Sequence, residues 1–95
     1  MQRKNRPNLD RLYRSILSLE SAEELAAFLE DICTVQEVDA MAQRLDVAEL
    51  LYRGESYIDI NAKTGASTAT IGRVSRALNY GKGGYELVIE KLRQE

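Results

Sequence analysis

The stretch SYIDINAKTGASTATIGRVSRAL, from Ser56 to Leu78, decides the fold. Ser56 can cap a helix whose first turn holds Asp59, an acid placed at the positive end of the helix dipole. Gly65 supplies the positive φ that a sharp turn between helices needs. Ser67 can cap a following helix, predicted from Thr68 to about Leu78. Two short helices joined by a tight glycine turn read as a helix-turn-helix, the arrangement that offers its second helix to the major groove of DNA.

The second helix has two distinct sides. At about 100° per residue, Ile71, Val74 and Leu78 share one side and are expected to pack inward. Ala69, Gly72, Arg73 and Arg76 share the other, where small residues permit close approach and guanidinium groups can reach phosphate or guanine edges. Ser67, Thr68 and Thr70 stand at the N-terminus, where hydroxyls and free N–H groups can meet phosphates or base edges. Lys63 and Lys82 are expected as phosphate contacts at the rim. Two positions depart from the usual pattern: Asn61 stands where a small residue is common, and Thr64 where an aliphatic one is. An ordinary surface helix with solvated arginines would share much of this geometry, so charge placement must decide between the readings.

The formal net charge is −2, which looks wrong for a nucleic-acid binder until it is divided along the chain. Residues 1–14 carry Arg3, Lys4, Arg6, Arg11 and Arg14 against Asp10 alone. Residues 15–59 hold eleven acids against Arg44 and Arg53. From Ile60 to Tyr85 there is no acid, while Lys63, Arg73, Arg76 and Lys82 are basic. An acid-free reading unit on an acidic scaffold sets a local attraction to phosphates that the overall pI hides.

The rest of the chain reads as further helices and no sheet. Leu9, Leu12, Tyr13, Ile16 and Leu17 fall on one helical stripe. Ser21-Ala-Glu-Glu24 forms a capping box before a stripe of Leu25, Phe28, Leu29, Ile32 and Cys33, and Thr34-Val-Gln-Glu37 forms another. The second box opens the longest segment, to about Arg53. There Val38, Met41, Ala42, Leu45, Ala48 and Tyr52 make one stripe that Val47, Leu50 and Leu51 widen, so this helix wants neighbours on several sides. Gly54 ends it. Asn79 to Gly84 reads as a break, and Leu87, Val88 and Leu92 mark a last short helix. The expected organisation is a basic, mobile arm over residues 1–8 and a single all-α domain of six helices over residues 9–95.

Several function classes are excluded. Ninety-five residues make a small domain that buries only about two-thirds of its unfolded surface, so association would help it. No apolar run approaches the roughly 20 residues needed to span a bilayer. One cysteine, Cys33, and no histidine leave neither an internal disulfide nor a zinc site, and a reducing cytoplasm is the expected compartment. Cys33 has no base to activate it and is expected as a small core residue. Glu23/Glu24 and Glu30/Asp31 read as solvated helix charges. Gly81, Gly83 and Gly84 lack the preceding strand and following Lys-Ser/Thr of a phosphate loop, and read as a joint before the last helix. No catalytic group or metal ligand set emerges.

MAQRLDVAELLYRGES, Met41 to Ser56, and TGASTATIGRVSRAL, Thr64 to Leu78, resemble the Trp repressor superfamily, particularly its YerC/YecD-like branch. The resemblance runs from about Leu12 to Leu92. It implies an intertwined, all-α homodimer in which each chain offers one reading head to a palindromic DNA operator, acting as a transcriptional regulator and more specifically a repressor. It also implies that Thr34, Arg44 and Arg73 match positions contacting tryptophan in the best-known member. Val74 stands where that repressor has glycine, and Ala77 where it has a serine that helps hold the ligand. A valine there protrudes into the space of an indole, so no cofactor is expected. The residues themselves give Arg44 a simpler role in an ion pair with a nearby acid, and Thr34 one as a helix cap. The basic residues from Arg3 to Arg14 are expected to add phosphate or minor-groove contacts. The alternative reading is a helical, dimeric protein-interaction adaptor without sequence-specific DNA binding.

Overall fold

The computed structural model describes residues 6–95. Among them are six helices and no strand: α1 (Pro7–Leu17), α2 (Ala22–Ile32), α3 (Val35–Tyr52), α4 (Tyr57–Thr64), α5 (Thr68–Tyr80) and α6 (Gly84–Arg93). Arg3 and Lys4, on which much of the arm reading rests, lie outside the described residues. Pro7 and Asn8, which the sequence reading assigns to the arm, belong to α1. Proline suits this first position, where its missing N–H would have had no helical partner.

The caps form where the sequence places them. Ser21 Oγ accepts from the Glu24 amide at 3.1 Å, Ser56 Oγ from Asp59 at 3.1 Å, and Ser67 Oγ from Thr70 at 3.1 Å. At Thr34 the box is reciprocal: its hydroxyl accepts from the Glu37 amide at 3.0 Å, and its own amide donates to the Glu37 carboxylate at 2.7 Å. At Ser21 it is not, since Glu24 reaches back to the Glu20 amide instead.

The chain divides into two compact units, Met1–Val38 and Asp39–Glu95. In the first, neither α1 nor α2 has a buried residue, and Leu17 is 82% exposed. Cys33 is half-buried at the C-cap of α2 rather than in a core. The second unit holds the core: Val47, Ala48, Ile60, Ala66, Ile71, Val74 and Ile89, with Leu50, Leu51, Tyr52 and Tyr85 packed against it. On α3, therefore, the residues that widen the apolar stripe carry much of the packing, while Met41 on the stripe itself stays exposed. The side of α3 that meets α4 to α6 is set by the tertiary fold, which periodicity alone does not specify.

The end of α5 also differs from expectation. The helix continues through Asn79 and Tyr80, and Gly81 closes it with its N–H donating to the Ala77 carbonyl at 2.8 Å. A Cβ on Gly81 would collide with that carbonyl oxygen, so glycine is required by close backbone approach. The Tyr52 hydroxyl donates to the Glu90 carboxylate, and the Arg93 guanidinium lies 4.9 Å from the Tyr52 ring centre, tying α6 to α3. The bond to Glu90 foremost, then partial burial, then the charges of Glu90 and Glu86 hold the Tyr52 hydroxyl above its ordinary pKa of 10.0.

Candidate nucleic-acid interface

The turn between α4 and α5 is built around one buried residue. Gly65 takes the left-handed conformation, φ 75°, and its N–H returns to the Asn61 carbonyl at 2.8 Å. The next residue, Ala66, is 1% exposed, so its backbone groups need partners inside the protein. Its N–H donates to Thr64 Oγ1 at 3.1 Å, and its carbonyl accepts from Asn61 Nδ2 at 2.8 Å. Thr64 Oγ1 in turn donates to the Ile60 carbonyl at 2.7 Å. The two positions that depart from the usual helix-turn-helix pattern are thus the two that satisfy the buried turn. Gln43 on α3 adds a third tie, Nε2 donating to the Thr64 carbonyl at 3.2 Å. Nothing in the spacing of the sequence marks Gln43 for this role.

Beyond the turn, α5 presents the predicted face. Ile71 and Val74 are buried, and Leu78 is half-buried on the same side. Arg73, Arg76, Thr68 and Ala69 are exposed, and Gly72 is half-buried. A Cβ on Gly72 would meet nothing within 4 Å, so no packing contact within the chain requires glycine there. Ser67 and Thr70 are partly committed to the cap, with the Ser67 hydroxyl donating to Thr70 Oγ1 at 3.1 Å.

The candidate cations divide into two groups. Among the described residues, Arg73, Arg76 and Lys82 have no ion-pair partner within the chain. Lys63, by contrast, pairs with Glu55 at 2.7 Å. Arg14 in the basic N-terminal region pairs with Asp10 at 3.0 Å.

Each ligand position implied by resemblance has its own local surroundings. Thr34 caps α3 from the first unit. Arg44 is half-buried and, against expectation, forms no ion pair among the described residues. Val74, 1% exposed, is part of the hydrophobic core, and the space its side chain fills is unavailable to a ligand. Ala77 is exposed and has no hydroxyl to offer.

A capped helix following a clamped glycine turn, with arginines on its open face, defines a helix-turn-helix protein. The Trp repressor protein family matches residues 7–93. An uncharacterized protein, YerC, of Bacillus subtilis (strain 168) is 49% identical over 86 residues, spanning 90% of this chain and 83% of its own. The crystal structure of a TrpR-like protein from Eubacterium eligens ATCC 27750 is 46% identical with a TM-score of 0.90, covering 93% of this chain and 91% of that one. That of a candidate Trp repressor from Staphylococcus aureus is 40% identical with a TM-score of 0.92, covering 100% and 97%. The chain belongs to the Trp repressor family, whose members are DNA-binding regulators and not enzymes.

Proposed function

We propose that the protein binds duplex DNA sequence-specifically as a cytoplasmic homodimer and represses transcription from a palindromic operator. The single observation that carries this reading is the open face of α5, where Arg73 and Arg76 stand beside Thr68, Ala69 and Gly72 without an acidic partner among the described residues. Guanidinium groups left unpaired on a surface of small residues can meet phosphate or read guanine edges in the major groove. Ser67, Thr70, Lys82 and a released Lys63 would serve as the positioning contacts around them. No described helix is long and apolar enough to cross a membrane, which is compatible with the cytoplasmic assignment.

Pairing is supported by what one chain leaves uncovered. The helices α1 and α2 have no fully buried residue, Val35 is 71% exposed, and Leu87, Val88 and Leu92 of α6 are also exposed. A small domain gains most from covering such surface with a second copy. Two reading heads related by a two-fold axis would meet half-sites about 34 Å apart. Because Val74 occupies the core, the proposed activity requires no tryptophan.

Selection of bound sequences from a pool of random duplexes tests the proposal. It predicts enrichment of one palindrome with half-sites one helical turn apart. Recovery of no enriched sequence would instead favour the interaction adaptor.

A further inference from the structure

Of the four cations assigned to the DNA-facing unit, Lys63 alone has an acidic partner among the described residues. The pairing spans α4: Glu55 precedes the Ser56 cap, and Lys63 lies in the last turn. Glu55 is well placed to hold it. Its amide donates to the Leu50 carbonyl at 3.1 Å, fixing the backbone, and its side chain is only 23% exposed against 57% for that of Lys63. The cleft beside Lys63 is also lined by Asp46 and Glu49, with Glu49 already engaged by Arg53 at 2.8 Å. Lys63 therefore lies in the acid-free segment that leads into α5 and also lines a cleft that holds Asp46 and Glu49 as well as Arg53.

We infer that Glu55 is an intramolecular competitor for DNA phosphate, holding Lys63 off the duplex until a phosphate displaces it. This rests on the DNA-binding reading above and adds a regulatory contact to that interface. An ammonium group makes its charge-assisted bond either to the carboxylate or to a phosphate oxygen, and the 2.7 Å pair must open for the exchange. The competition weakens binding to every duplex alike, because Lys63 would meet backbone and not base edges. The pair is partly open to solvent, so its removal is expected to cost little in folding and to leave the helix-turn-helix intact.

The test compares four full-length proteins, unsubstituted, Glu55→Gln, Lys63→Gln and Glu55→Gln/Lys63→Gln, binding a labelled duplex across a salt series. Circular dichroism establishes that each is folded. Glu55→Gln is expected to bind several-fold more tightly at low salt, while Lys63→Gln is expected to flatten the log–log salt slope by about 0.9 for each Lys63 that no longer engages a phosphate. In the Lys63→Gln background the same change is expected to do little. An equal gain with and without Lys63 would overturn the inference, since it would reflect only the general removal of an anion. Unchanged or weaker binding by Glu55→Gln would overturn it too, the latter by making Glu55 a positioning residue for Lys63. Absence of duplex binding by the unsubstituted protein would instead defeat the underlying DNA-binding proposal.

Discussion

Replacing Thr64 with valine keeps the outline of the side chain and removes its hydroxyl, which isolates the turn clamp from packing. Two bonds disappear, the donation to the Ile60 carbonyl and the acceptance from the Ala66 N–H. The second matters more, because Ala66 is 1% exposed and water has poor access to an orphaned donor there. A buried donor left without a partner costs about 1–3 kcal/mol, and the added methyl returns less than about 1 kcal/mol by burial. The expected net loss is about 1–2 kcal/mol, equivalent to roughly 4–16 °C in Tm for a domain of this size. Urea unfolding followed by circular dichroism measures it, with both proteins at one concentration because pairing makes apparent stability concentration-dependent. The urea midpoint should fall while the m-value holds. Asn61→Ala, which orphans the Ala66 carbonyl, should fall in the same range, and the double variant should be non-additive because both act on Ala66. A midpoint for Thr64→Val that is unchanged or raised would refute the clamp.

Other expected outcomes follow from the same geometry. Arg73→Ala and Arg76→Ala should each weaken operator binding by about 1–3 kcal/mol in a duplex titration, with melting temperatures unchanged. Val74→Ala removes two buried methyl-sized groups and should cost about 2 kcal/mol in urea unfolding. With Val74 in place, calorimetry should detect no tryptophan binding. Tyr52 couples α6 to pH: its raised pKa means its hydroxyl contributes stability fully below pH 10.0, and the contribution is lost as pH rises through the higher folded value. Melting of Tyr52→Phe should accordingly decline less at alkaline pH than melting of the unsubstituted protein.

The helix-turn-helix was legible because its signals are local. Ser56, Gly65 and Ser67 fix caps and a left-handed turn within a few residues of themselves, and Ile71 and Val74 declare the buried side of α5 by spacing alone. The environment of α3 was less legible, because Val47 and Ala48 are buried by helices distant in sequence, which period cannot identify. The extension of α5 through Tyr80 was hidden by the glycine-rich composition that follows it. Asn61 and Thr64 looked like departures because propensity registers side-chain type, whereas their function depends on the unmet backbone groups of Ala66. For Lys63 the charge was legible but not its partner, since Glu55 lies at the far end of α4.

Fluorescence anisotropy of a labelled duplex against protein, repeated across a salt series, tests most directly whether this acid-free unit exists to meet DNA. The account predicts tight association at low ionic strength, with affinity falling linearly on log–log axes as phosphate contacts release their counterions. A protein that stays folded yet ignores double-stranded oligonucleotides even at the lowest salt would contradict it.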